Sequence, residues 1–153
     1  MTTLRSGPAA LSTIEKLVEA GNKPDMVVLS PGPGNPKDFA LSTSIEVLTK
    51  HSIPGFGVCL GLQGMVEHFG GELGVLDYPM HGKPSSIMLT DEDQKTNDSM
   101  FAGLPSNPLK LADITLVLES RTKVPDCLDV TALTEDDIVM SISRHKTVPF
   151  VAV

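Results

Sequence analysis

Cys59 stands between two glycines in Gly57-Val-Cys-Leu-Gly61, after the apolar run Ile53-Pro-Gly-Phe-Gly-Val58 and before the amphipathic stretch from Leu60 to Phe69. A strand, a tight turn and a helix in that order have the layout of a nucleophile elbow. Small neighbours let the backbone bend sharply and lift the reactive side chain above the sheet edge. At the first turn of a helix, unpaired N–H groups and the positive end of the dipole favour thiolate over thiol, and the thiolate is the form that attacks a carbonyl carbon. A cysteine at a plain strand-to-helix turn can instead be a small core hydrophobe. The spacing alone leaves both readings open.

A second stretch, Ser30-Pro-Gly-Pro-Gly-Asn-Pro36, continues neither a strand nor a helix. It follows Met26-Val-Val-Leu29, an apolar run that suits a buried parallel strand, so it forms a rigid loop at a strand's carboxyl end, where open α/β sheets place their ligands. A mere connector has the same composition. Phosphate cradling is disfavoured because no Gly-Lys-Ser/Thr follows.

The elements that must position these loops are legible in the hydrophobic spacing. Leu11 to Ala20 is a short helix stopped by Gly21-Asn22, and Leu41 to Lys50 is a second helix that returns the chain to the strand ending at Cys59. Two strand-helix units in succession imply a parallel sheet with right-handed crossovers, so both loops open on one edge. Their backbone N–H groups can then converge on one small ligand and hold a developing oxyanion beside a nucleophile, which is the geometry acyl transfer needs. Beyond Gly70-Gly71 the pattern changes. Residues 72–83 are turn-rich, Ser86 to Thr90 is a strand, and Asp91 to Asp98 is a solvated acidic loop. Leu111 to Leu118, Leu128 to Leu133 and Ile138 to Ile142 follow as short strands, the last two joined as a hairpin through Glu135-Asp-Asp137, and Phe150 to Val153 is a further apolar strand.

Composition narrows the function classes. A chain of 153 residues with 41% hydrophobic content supports one domain with a real core. A formal charge of −7 with no Lys/Arg cluster argues against a nucleic-acid surface. No apolar run approaches the roughly 20 residues of a membrane span, and the first residues lack a secretion signal's apolar core. The expectation is a soluble, cytoplasmic protein. Its two cysteines are far apart and its four histidines scattered, which predicts neither a disulfide framework nor a metal site. No cofactor is expected.

Several segments together carry a resemblance: Leu-Ser-Pro-Gly-Pro-Gly-Asn-Pro (29 to 36), Gly-Val-Cys-Leu-Gly-Leu-Gln (57 to 63), Phe-Gly-Gly-Glu-Leu (69 to 73), Pro-Met-His-Gly-Lys (79 to 83) and Val-Thr-Ala-Leu-Thr-Glu-Asp (130 to 136). The chain resembles the class I glutamine amidotransferases, and within them the glutamine-hydrolysing component of anthranilate synthase. Pro-Met-His-Gly-Lys points to the chorismate-aminating subgroup. The resemblance implies an α/β fold with an open, mostly parallel sheet flanked by helices, flavodoxin-like, with an antiparallel section in the C-terminal half. It implies that Cys59 attacks the carboxamide carbon of glutamine, that Gly34 and Leu60 supply the oxyanion hole, and that Gly32, Pro33, Gly34 and Gln63 line the glutamine pocket. Thr115 and Leu116 would stand in for the Ser-Leu backbone that grips glutamine in the family. His81, Gly82 and Lys83 would face a chorismate-using synthase subunit or domain, which receives the ammonia.

Three parts of the family pattern are not found in this sequence. The opening strand with its Asp-Asn-Tyr-Asp-Ser-Phe segment is absent before Met1, which predicts an unpaired sheet edge. The Arg-Tyr-His-Ser-Leu segment is replaced by Leu111-Ala-Asp-Ile-Thr-Leu116. The Gln-Phe-His-Pro-Glu segment, whose His and Glu act as base and orienter, would follow Val153; loss of a general base is worth on the order of 10²–10⁴-fold. His145, in a polar turn, and His68, on the polar side of its helix, are expected to point away from Cys59. Three readings follow: the glutaminase part of an anthranilate synthase-like system, a non-catalytic module that keeps the fold and partner face, and a different cysteine hydrolase using the same elbow.

Overall fold

The computed structural model describes residues 1–74, 84–91, 99–104, 109–112, 124–144 and 148–153. Helix α1 (Pro8–Glu19) begins three residues before the apolar spacing predicts, because Pro8 at the first helical position has its φ already set for a helix. It ends where expected: Gly21 takes φ 75°, and Asn22 N–H closes on Leu17 O at 2.8 Å. The chain then forms β1 (Val27–Leu29), a 3₁₀ turn over Pro36–Phe39, α2 (Leu41–Lys50), β2 (Gly55–Gly57) and α3 (Leu60–His68). The second half supplies β3 (Pro84–Leu89), β4 (Leu109–Ala112), β5 (Asp129–Thr134), β6 (Val139–Arg144) and β7 (Phe150–Ala152). The strand read over 111–118 thus begins two residues earlier, and positions 113–118 lie outside the described residues, as does most of the acidic stretch after Asp91.

The seven strands form one sheet in the order β1-β2-β7-β6-β5-β3-β4. Its start is parallel, β1 to β2 to β7, and the rest is antiparallel, so the parallel sheet with an antiparallel C-terminal section is the one observed. Among the described residues the antiparallel pairings are the more numerous, four against two. The last strand in sequence lies between β2 and β6, in the middle of the sheet.

Two apolar clusters hold the layers together. One lies under α2 and α3, where Ile45, Leu48, Ile53, Met65 and Val66 pack fully buried against Leu29, Phe150 and Ala152. The other gathers Ile87, Ala132, Ile138 and Met140 of the antiparallel half beneath Phe101. The expectation of a buried strand at 26–29 needs correction. β1 pairs only with β2 among the described residues, and Val28 is 53% exposed while Leu29 on the other face is buried. The helices cover one face of this edge strand and leave the face bearing Val28 open, which a run of consecutive apolar residues cannot reveal.

Candidate active site

β2 ends at Gly57 and α3 starts at Leu60, leaving two residues for the reversal. Cys59 makes the turn with φ 54° and ψ −101°. That combination lies outside the left-handed basin and costs a non-glycine residue about 1–3 kcal/mol, so it persists only where its surroundings over-determine it. Three hydrogen bonds do so. Val58 N–H donates to Leu29 O at 3.0 Å, Cys59 N–H to Val153 O at 2.7 Å, and Gln63 N–H to Cys59 O at 3.1 Å. The elbow is thereby tied to β1 on one side and to the end of β7 on the other.

The flanking glycines are required by contact. A Cβ on Gly61 would run into the carbonyl oxygen of Leu29 and approach Leu29 Cβ at 3.0 Å, and one on Gly57 would meet the Gly61 carbonyl carbon at 2.8 Å. Helix α3 therefore seats its first turn directly on β1 and β2, which fixes the direction in which the thiol leaves the sheet.

The Ser30–Pro36 loop leaves β1 beside the elbow, as the parallel pairing demands. The N–H groups of Leu60 and Gly32 donate to the Cys59 sulfur and pull its pKa down. Burial is the larger effect, and the net result is a thiol pushed above its usual range. This corrects the expectation that the helix terminus alone would leave Cys59 as a ready thiolate: desolvation of the anion outweighs two amide donors. The loop's remaining residues are held by their own turn. Asn35 N–H donates to Asp38 Oδ2 at 3.0 Å, and Gly34, at φ 100°, sits against Asp38 and Phe39. Of the two loop glycines, the one whose amide lies on the sulfur is Gly32.

The structure brings Cys59, Leu60, Gly32 and Gln63 onto one sheet edge. Leu60 is 3% and Gln63 2% exposed, while Pro33 and Gly34 are exposed at the surface of the loop. Thr115, Leu116, His81, Gly82, Lys83 and His145 lie outside the described residues. His68 is half-buried between α3 and α2. Its Nδ1 meets Ser42 Oγ of α2 at 2.9 Å, and its ring packs edge-on against Phe69, which also carries the Arg144 guanidinium 4.7 Å from its centroid. Cys127 is a half-buried free thiol packed against the main core. Among the described residues no three His, Cys, Asp or Glu side chains gather as they would around a metal ion, and no helix is long and apolar enough to cross a membrane.

The family model for glutamine amidotransferase class-I matches residues 8–153. The chain is 41% identical over 153 residues to an anthranilate synthase of Azospirillum brasilense, covering 100% of this chain and 19% of that protein. It is 39% identical over 152 residues to anthranilate synthase component 2 of Haloferax volcanii, covering 95% of this chain and 67% of that one. The chain spans less than half the length of several curated relatives that it matches, among them the rice chloroplast beta subunit 1, of which it covers 42%. A solved glutamine amidotransferase from Thermotoga maritima superposes with a TM-score of 0.66 at 16% identity, over 87% of this chain and 55% of that one, which shows a shared fold.

Proposed function

This chain belongs to the class-I glutamine amidotransferase family, and from that premise we propose that Cys59 is the nucleophile of a glutaminase serving an anthranilate synthase-like system in tryptophan biosynthesis. The single observation that carries the reading is the strained Cys59 backbone with the Leu60 and Gly32 amides on its sulfur. In the reaction the thiol loses its proton, the sulfur adds to the carboxamide carbon of glutamine, and negative charge develops on the carboxamide oxygen. The first-turn and loop amides flank the sulfur, so Leu60 with the loop glycines Gly32 and Gly34 are the proposed oxyanion donors. Collapse of the adduct breaks the C–N bond, the leaving nitrogen takes a proton and departs as ammonia, and water then cleaves the thioester to glutamate. Gln63, buried one turn into α3, is proposed to bound the glutamine pocket together with Gly32, Pro33 and Gly34.

The raised thiol pKa means that the nucleophile needs a base to become an anion near neutral pH. On the resemblance that base is the His of Gln-Phe-His-Pro-Glu, oriented by the Glu. A segment continuing from Val153 would emerge beside the elbow, because Val153 O already holds the Cys59 amide. The ammonia is proposed to pass to a chorismate-using synthase through the face that includes His81, Gly82 and Lys83.

A second reading, a module that keeps the fold and partner face without hydrolysis, is favoured by Leu111-Ala-Asp-Ile-Thr-Leu116 standing where the family has its glutamine-gripping Arg-Tyr-His-Ser-Leu segment. One experiment separates them. A glutamine-like chloroketone followed by mass spectrometry is expected to label Cys59 and spare Cys127, with glutamine protecting, and Cys59→Ser is expected to abolish both the label and ammonia release. Absence of an adduct, or equal labelling of the two cysteines, removes the glutaminase reading.

A further inference from the structure

Behind the elbow lies a pair of buried hydroxyls that no step of the proposed reaction uses. Ser141 on β6 is completely buried and Thr131 on β5 is 3% exposed. Thr131 Oγ1 donates to Ser141 Oγ at 2.8 Å, and Ser141 Oγ donates to the backbone carbonyl of Ala152 on β7 at 2.9 Å. Met100 Sδ, 3.5 Å from Ser141 Oγ, closes the pocket around the pair. Hydroxyls placed among apolar side chains are costly unless satisfied, and here each finds its partner in a directed chain. That chain points at one peptide group. The Ala152 carbonyl belongs to the peptide whose N–H, on Val153, donates to Gly57 O at 3.0 Å; the following carbonyl, Val153 O, accepts the Cys59 N–H at 2.7 Å.

We propose that Ser141, backed by Thr131, is a positioning residue for the Cys59 nucleophile: its hydroxyl fixes the Ala152 carbonyl and with it the adjoining Val153, whose own oxygen holds the Cys59 amide in the strained elbow. The proposal rests on the reading of Cys59 as the glutamine-attacking thiol and deepens it by naming what keeps that thiol aimed. When the strand end loosens, Cys59 relaxes from its sparsely populated backbone conformation and its sulfur drifts from the Gly32 and Leu60 amides that stabilise the anion. The antiparallel half of the sheet thereby acts on the reactivity of a residue in the parallel half.

The test is alkylation of the full chain by iodoacetamide across pH, with Cys59 and Cys127 followed separately by mass spectrometry. In Ser141→Ala the Cys59 profile is expected to move up by about half a pH unit, a ~3-fold slower reaction near neutrality, with Cys127 unchanged. Ser141→Thr, which keeps the hydroxyl, is expected to retain the parent profile. Thr131→Val, which preserves shape and removes only the backing donor, is expected to move Cys59 in the same direction by less, and it decides the matter if Ser141→Ala does not fold. An unmoved Cys59 profile in the alanine and valine variants, a Ser141→Thr profile as displaced as that of Ser141→Ala, or Cys59 and Cys127 shifting together overturns the proposal, the last because general loosening would move both thiols. Iodoacetamide needs no glutamine pocket. Failure here therefore leaves the chloroketone result standing, and failure of the chloroketone leaves this one standing.

Discussion

Among the described residues Ala40, Ser52, Cys59 and Asp137 take positive φ, and two of them invite comparison: Cys59 at the elbow of the parallel half, at 54°, and Asp137 in the hairpin between β5 and β6, at 60°. Their supports differ in kind. Asp137 is exposed, and its turn is closed within five residues by Asp137 N–H to Thr134 O at 3.1 Å, Ile138 N–H to Thr134 Oγ1 at 3.1 Å and Thr134 N–H to Ile138 O at 2.9 Å. An aspartate tolerates positive φ through its own short polar side chain. Cys59 has local bonds from the Gln63 and Leu60 amides, and long-range ones besides. It is held by Leu29, 30 residues before it, through the neighbouring Val58, and by Val153, 94 residues after it. Strain at the hairpin is a matter of turn chemistry, whereas strain at the elbow is imposed by the sheet. The reactive group sits where the fold, rather than the local sequence, dictates the backbone.

The contrast can be broken at several points. The largest effect is expected from Gly61→Ala. A methyl there meets backbone of β1 that cannot move without shifting a strand, so about 3 kcal/mol is expected to be lost in denaturant unfolding, together with chloroketone labelling of Cys59. A fully stable, fully labelled variant would show that the elbow does not depend on the seat of α3. A smaller effect is expected from acid. Burial holds His68 below its usual 6.5, Glu46 opposing and Arg144 adding to the shift. The unfolded chain then binds this proton at a higher pH than the native one, so the interaction's stability is present above 6.5 and is lost as pH falls through that value toward the lower native one. His68→Gln is expected to flatten this part of the stability-pH profile, measured as urea midpoints at neutral and mildly acidic pH; an unchanged profile would assign the acid sensitivity to other groups. The smallest effect is expected at the hairpin. Asp137→Gly relieves positive φ but loosens the unfolded chain, and the two nearly cancel, leaving stability within about 0.5 kcal/mol of the parent and Cys59 alkylation unaltered. A change in Cys59 reactivity would mean that the hairpin's turn, as well as the Ser141 relay in its strands, is coupled to the elbow.

Legibility followed the range of the interactions. Helix α2 was read to the residue, and α3 to within one, because their apolar spacing and stops are local. The hairpin over Glu135 to Asp137 was read from turn chemistry of the same short range. β1 was misjudged as buried because Met26 to Leu29 is apolar on both faces, and which face is covered depends on where the helices land. That His68 meets Ser42 of α2 could not be read from its helix alone, because the partner lies 26 residues away.

By itself the sequence determined the setting of the proposed nucleophile: a cysteine between glycines at a strand-to-helix turn, a Pro-Gly-Pro-Gly loop after the preceding strand, and parallel pairing that puts both on one edge. These follow from short-range sterics and from the handedness of crossovers, which act within a few residues or one structural unit. Only the tertiary structure decided that the Gly32 amide lies on the sulfur, that burial outweighs the amide donors and raises the thiol's pKa, and that β7 enters the middle of the sheet. Each of these depends on groups far apart in the chain meeting at ångström distances. The pattern of residues along the chain does not carry desolvation or strand order, because both are properties of the packed whole.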